Sequence, residues 1–259
     1  INGVFDTAAE SLNIADKEFA SYANTALVRY DSLEDACFDE SVDALLICTP
    51  NFTHFEILQT AIKSGKGIFV EKPMATSLIE AAKIAGMAQR YSNFIQLGMQ
   101  YRYKSQYSQA FHLIKIKGEL GDVKTVSMSE YRPPFLDKVN QWNKFNENSG
   151  GTLVEKCCHY FDLINMMAQA PPLKVYASGG QAVNFLDFTH EGKVSDIDDH
   201  CFVVIDYANG VRANFTLNMF CPELHEELIV TGSYGRITAS EKSSFVEGRH
   251  SKATLVLEN

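Results

Sequence analysis

Val42-Asp43-Ala44-Leu45-Leu46-Ile47-Cys48-Thr49-Pro50-Asn51 is the stretch on which the fold turns. Its near-continuous apolar run suits a parallel strand covered on both faces, since a strand with one wet face alternates instead. Toward the N-terminus, Ile1 to Phe5 reads as a strand ending at Asp6. Thr7 to Glu10 then has capping-box spacing and opens a helix with Ala8, Leu12, Ala15 and Phe19 on one face. Val28 and Tyr30 mark a short strand, and Ser32 to Asp35 starts a small helix. Toward the C-terminus, Thr53 can cap a helix over His54 to Ser64, closed by Gly65. Gly67 to Val70 is the next strand, ended by Glu71-Lys72-Pro73. Ser77 to Glu80 repeats the capping box before a helix reaching about Tyr91, and Phe94 to Leu97 is a further strand. Strand and helix alternate without a break, so residues 1–100 are expected to form an α/β domain around a parallel sheet.

After Gly98 the pattern changes. A helix is expected over Ser105 to Lys117, stopped by Gly118 and Gly121, then a strand through Val123, Thr125, Ser127 and Ser129. Arg132 to Gly151, with Pro133-Pro134 and the single Trp142, is too polar and broken for a core element and reads as a long functional or mobile loop. Thr152 to Met167 reads as one helix ended before Pro171-Pro172, and Val175 to Ser178 as a strand. Asn209-Gly210 between Cys201–Tyr207 and Val211–Met219 is a hairpin signal. Leu228 to Thr231, Ile237 to Ala239 and Thr254 to Leu257 add strands. Residues 101–259 are therefore expected to form an α+β domain, a largely antiparallel open sheet with helices on one face.

Composition bounds the partners. The 259 residues are 46% hydrophobic and 21% charged, as a globular chain should be. With 23 basic against 32 acidic residues, a net charge of −9 and no basic stripe, a nucleic-acid partner is not expected. Lys115 and Lys117 form the densest basic stretch and read as a solvated helix end. Six cysteines without a CxxC lie mostly in apolar runs, which favours thiols in a reducing, cytoplasmic compartment. No run reaches the roughly 18 apolar residues that span a bilayer, so no membrane partner is expected.

Ligands of α/β sheets bind beyond the carboxyl ends of the strands. Asp6, Thr49-Pro50-Asn51, Glu71-Lys72-Pro73 and Gln100-Tyr101-Arg102 all follow strands. Asp6 can accept from an adenosine ribose hydroxyl, which would favour NAD over NADP, or serve as a turn carboxylate. Lys72, framed by a carboxylate and a proline, can donate to a substrate oxygen or be a surface lysine. His159 lies four residues after Glu155, and a carboxylate one turn away can orient a general base; a packed core histidine is the other reading. Cys157 and Cys158 read as packing residues, and no residue set has convincing metal-ligand spacing. Trp142, Tyr101, Tyr103 and Tyr131 could wall a small-molecule pocket or pack the core.

Two segments carry a resemblance. Leu46-Ile47-Cys48-Thr49-Pro50-Asn51-Phe52-Thr53-His54 with Val70-Glu71-Lys72-Pro73, and Gly150-Gly151-Thr152-Leu153-Val154-Glu155-Lys156-Cys157-Cys158-His159-Tyr160-Phe161-Asp162, resemble the glucose-fructose oxidoreductase, inositol dehydrogenase and rhizopine-catabolism family of NAD(P)-dependent oxidoreductases. The resemblance implies a Rossmann domain followed by an α+β domain whose open sheet serves a homo-oligomer interface. It implies oxidation or reduction of a carbinol in a sugar, cyclitol or related polyol, with NAD, or NADP, as cofactor. By it, Lys72 and His159 are the catalytic pair, and Thr49, Pro50, Asn51, His54, Glu71, Lys72 and Gln100 line the cofactor, beside the Asp6 read from its placement. Arg102, Tyr103, Trp142, Glu155 and Asp162 face the substrate. Glu155 stands where many members carry Asp, which keeps the charge and moves it by one methylene. The family's first strand and G-x-G-x-x-G loop are not in this sequence, so the intact protein is expected to be longer, with that strand central to its sheet. A hydrolase or eliminase working through transient oxidation, a sugar- or nucleotide-sensing protein and an oligomeric scaffold are the competing expectations.

Overall fold

The computed structural model describes residues 1–22, 26–243 and 251–259. The chain divides into two compact units, Ile1–Gly98 and Met99–Asn259.

The first unit runs β1 (Gly3–Val4), α1 (Ala9–Ala20), β2 (Val28–Arg29), α2 (Leu33–Phe38), β3 (Ala44–Ile47), α3 (His54–Ala61), β4 (Gly67–Val70), α4 (Leu78–Ala88) and β5 (Ile95–Leu97). Every pairing is parallel, β1 with β2 in one sheet and β3-β4-β5 in another. Ile47, Leu58, Ala61, Ile68, Val70 and Ile84 form the core. Strand β4 is covered. Strand β3 is not: it edges its sheet, and Leu46 is 67% exposed.

Local chemistry explains the helix starts. Ser32 and Ser77 each accept an amide three residues on, from Asp35 (3.0 Å) and Glu80 (3.3 Å). The box at Thr7 does not form; the Ala8 amide donates to Asp6 Oδ1 at 2.7 Å, so a carboxylate turns the chain and α1 starts at Ala9. Thr53 does not cap either. Its hydroxyl points back to Thr49 Oγ1 and the Pro50 carbonyl, both at 2.7 Å, and a 3₁₀ turn over Asn51–Thr53 precedes α3. Gly65 ends the next turn at φ 72°, where a side chain would be strained.

The second unit opens with a 3₁₀ turn at Gln100–Tyr103 and continues with α5 (Ser105–Phe111), which passes into a π-helical turn at His112–Ile116. There follow β6 (Val123–Tyr131), α6 (Asn146–Ser149), α7 (Thr152–Glu155), α8 (Cys158–Ala168), β7 (Pro172–Gly180), β8 (Thr189–His190) and β9 (Lys193–Val194). The chain closes with β10 (His200–Tyr207), β11 (Arg212–Asn218), β12 (Leu224–Gly232), β13 (Arg236–Ser243) and β14 (Ser251–Glu258). Seven strands form one sheet in the order β14-β13-β12-β6-β11-β10-β7, antiparallel except for β6 beside β11. Alternate residues face inward, among them Val126, Met128, Phe215, Leu228 and Val230, and pack with Tyr107 of α5 and Tyr160, Leu163, Ile164 and Met167 of α8. The opposite face is open, with Tyr176, Phe202 and Val204 exposed.

Two expectations are corrected here. The segment after β6 is not an open polar loop: Asn143, Lys144, Phe145 and Ser149 are buried. Lys144 Nζ donates to the Phe135 carbonyl (3.1 Å) and lies 4.1 Å from the centre of the Phe185 ring, so polar residues go inside because partners await them. The helix expected from Thr152 is two helices. At the break the Cys157 amide reaches the Thr152 carbonyl (3.3 Å), a five-residue step that widens the turn. Glu155 and His159 therefore belong to different helices and do not share one face.

Candidate active site

In the first unit the candidates gather on loops that leave parallel strands, Asp6 after β1, Thr49 to Asn51 after β3 and Glu71-Lys72 after β4. The Glu71 amide still donates to Ile47 O (2.9 Å) and the Gly98 amide to Val70 O (2.8 Å), which extends the ladder to the loops. Glu71 Oε2 accepts the Lys72 amide at 3.1 Å. A Cβ at Gly98 would come within 3.1 Å of that same oxygen and of the Phe69 ring, so one of these side chains would have to give way. Asn51 is buried, Lys72 partly so, and the Lys72–Pro73 peptide is cis.

His54 is corrected. It is fully buried, and its ring nitrogens lie 2.8 Å from the Pro73 carbonyl and 2.9 Å from the Thr49 carbonyl. It ties the two candidate loops together from inside, and with no exposed surface it does not line a cofactor.

In the second unit His159 is 2% exposed and stacks on Tyr101, centroids 4.2 Å apart and planes within 8°. The Tyr101 hydroxyl donates to Glu226 Oε1 (2.8 Å) and accepts from Lys156 Nζ (2.9 Å). Glu226, on β12, has no exposed surface and also accepts from Tyr160 (2.7 Å), Lys104 (2.9 Å) and Tyr107 (3.2 Å). Strand register puts Glu130 of β6 on one side of it and Glu241 of β13 on the other. Three carboxylates thus stand in one row across adjacent strands, an arrangement that repulsion and burial both oppose. Cations answer it. Lys156 lies 3.4 Å and Arg132 3.5 Å from Glu130, and Lys104 lies 2.8 Å from Glu241.

The proton affinities follow. Burial pushes the Glu226 carboxyl up, but the ammonium groups of Lys104 and Lys156 and the Tyr160 hydroxyl outweigh it and hold it below the ordinary value. Burial lowers Lys156, and Glu130, Tyr101 and Glu226 together more than restore it, so it ends raised. Burial raises Tyr101 and keeps it a phenol. Glu130, Glu226, Lys104 and Lys156 were not singled out from sequence. Their signal was parity: Glu130 is in phase with Val126 and Met128, and Glu226 with Leu228 and Val230.

The other substrate candidates are placed unevenly. Arg102 grips Asp162 with two bonds, Nε to Oδ2 at 2.6 Å and Nη2 to Oδ1 at 2.5 Å, so both Asp162 oxygens already have a partner within the chain. Gln100 is exposed and Tyr103 is 76% exposed on the same turn; Trp142 and Glu155 are partly buried. Among the described residues no cluster of His, Cys, Asp and Glu is placed to hold a metal, and no helix is long and apolar enough to cross a membrane.

Comparison with known proteins accounts for both units. Residues 1–99 match the NAD-binding Rossmann fold of an oxidoreductase family, and residues 114–257 match that family's C-terminal alpha/beta domain. A scyllo-inositol 2-dehydrogenase (NAD(+)) of Bacillus subtilis (strain 168) is 26% identical over 186 residues, 65% of this chain and 50% of that protein. A 2,7-anhydro-N-acetylneuraminate hydratase of Escherichia coli (strain K12) is 28% identical over 222 residues, 81% of this chain and 55% of that one. A levoglucosan dehydrogenase solved with NADH and levoglucosan superimposes with a TM-score of 0.78 over 98% of this chain and 70% of its own; at 16% identity that is a likeness of fold. The chain spans about half the length of the curated relatives it matches, 56%, 43% and 53% for three of them. With both domain matches in order along the sequence, the chain belongs to the Gfo/Idh/MocA oxidoreductase family.

Proposed function

We propose that this protein is an NAD-dependent dehydrogenase acting on a carbinol of a sugar, cyclitol or related polyol. The observation that carries the reading is that the family's two domains follow one another in a single chain, with a lysine just past a parallel strand of the first and a buried, stacked histidine in the second. The first unit suits a dinucleotide. Its carboxylate, amide and hydroxyl side chains, Asp6, Asn51 and Thr49, lie at the strand ends where such ligands bind, and Glu71 and Gln100 lie in the same strand-end segments. When bound, the nicotinamide supplies the two-electron acceptor that side chains cannot.

The chain's own residues handle the proton and the oxygen. His159 takes the hydroxyl proton at a ring nitrogen. Lys72 donates to the carbinol oxygen and stabilises its alkoxide character, which counts most in the transition state. Glu155 carries a carboxylate for substrate hydroxyls, Tyr103 and Trp142 supply aromatic wall, and the Arg102–Asp162 pair acts as a unit.

In the full-length protein His159→Asn should lower turnover about 100- to 10,000-fold and remove the low-pH limb of the pH profile, where protonation of the base switches turnover off. Lys72→Met should lower turnover far more than cofactor affinity. Unchanged polyol oxidation in either variant would end this reading. A second reading, transient oxidation that loosens a neighbouring bond, is favoured by the hydratase relative. Product analysis with substoichiometric NAD separates the two, because only net oxidation consumes the cofactor.

The open face of the seven-stranded sheet, with Tyr176, Phe202 and Val204 exposed, is our proposed homo-oligomer surface. Phe202→Glu should shift sedimentation toward the monomer. From six cysteines that lie mostly in apolar runs without a CxxC, we propose a reducing, cytoplasmic setting.

A further inference from the structure

Resting on the reading of His159 as the base, we infer that Tyr101 is a positioning residue that sets the plane of the His159 imidazole, and that the buried glutamate row exists to hold Tyr101 still. A base that must meet a hydroxyl proton needs a fixed ring. His159 sits in the first turn of α8, immediately after the break at Lys156 and Cys157, so continuous helix does not brace it from the N-terminal side. What lies against the ring is Tyr101, face to face at 4.2 Å.

Tyr101 is itself on a short turn whose neighbours Gln100, Arg102 and Tyr103 are largely outside the core. It would wander without an anchor. Its hydroxyl is held from two sides, by the Glu226 carboxylate and the Lys156 ammonium, and Lys104 Nζ lies 3.8 Å from its ring centre.

The geometry is tighter than two separate anchors. Glu226 Oε1 accepts both from Tyr101 (2.8 Å) and from Tyr160 (2.7 Å), and Tyr160 is the residue next to His159. One oxygen on β12 therefore fixes the stacking ring and the backbone of the ring it stacks on. Lys156, from the break itself, closes the loop back to Tyr101 and to Glu130. A core acid serving stability alone would not need to hold both of these tyrosines on one atom.

The test is a graded series on the full-length protein, Tyr101→Phe, which keeps the ring and loses both hydroxyl bonds, and Tyr101→Leu, which loses the stack. The His159 Hε1 line, identified by its disappearance in His159→Asn, is read by NMR together with kcat and the cofactor KM. In the Leu variant the line should lose its ring-current shift and kcat should fall roughly 10- to 100-fold, with the cofactor KM within about twofold. The Phe variant, which keeps the ring without its anchor, should keep most of the shift and lose kcat severalfold, less than the Leu variant. An unmoved line, or a kcat within about twofold of wild type in the Leu variant, would overturn the inference. Should that variant not fold, Tyr101→Phe decides alone: a small shift with a severalfold loss of kcat supports the role, and wild-type values for both reject it. Wild-type turnover in His159→Asn would remove the base reading while the line shifts still report on the stack, so the two failures are distinguishable.

Discussion

In Ile1–Gly98 the candidate residues sit on loops leaving parallel strands, and main-chain bonds and one buried imidazole hold those loops. In Met99–Asn259 the candidate base rests on side chains instead, a stacked phenol tied to buried carboxylates and ammonium groups. The first arrangement tolerates changes of side chain so long as the backbone keeps its course. The second fails when a single charge is left without its counterpart.

The largest effect should come from that second unit. Glu226→Ala strips Lys104, Tyr101, Tyr107 and Tyr160 of a shared acceptor and should cost about 3–5 kcal/mol, read as lost hydrogen-exchange protection in β10 and β11. A change under about 1 kcal/mol would erase the contrast between the units. The same row predicts a pH response. With its carboxyl lowered, Glu226 contributes fully above the ordinary carboxylate range, and the contribution is lost as pH falls through the lowered value. Lys104 and Lys156 are raised, so theirs is complete below 10.5 and lost as pH rises through the raised values. Melting temperature should fall on both sides of a neutral plateau, and Glu226→Gln should flatten both limbs.

A smaller loss belongs to the first unit. His54→Leu removes the polar link between the Pro73 and Thr49 carbonyls and should cost about 1–3 kcal/mol, with protection lost in α3 and β4 and unchanged in β10. Loss spread equally over both units would blur the comparison. Smallest is Ser77→Ala, which removes one helix cap and should cost about 1 kcal/mol, confined to α4.

Sequence pattern reached much of this. Gly67–Val70 could be read to the residue, because three apolar positions between Gly and a polar turn leave little choice, and Asn209-Gly210 announced its hairpin. The break at Lys156 and Cys157 left no mark, since neither proline nor glycine makes it. Glu130 and Glu226 were visible only as parity, and a glutamate in phase with valine ordinarily means a strand end near water. Tyr101 and Glu226 are 125 residues apart, and no local rule joins them. The supports of His159 are long-range in this way, so sequence could suggest the base but not what steadies it.

Strand β6 is the first strand of its sheet to be synthesised, yet it lies near the middle, flanked by β11 and β12 from much later in the chain. Until those strands leave the ribosome, Glu130 has no sheet to be buried in. Contacts of such high order make folding slow and place completion late in synthesis. Assembly of the floor beneath His159 is thereby delayed until β12 arrives, so a truncated chain ending before it would hold the histidine without the carboxylate that anchors its stacking partner.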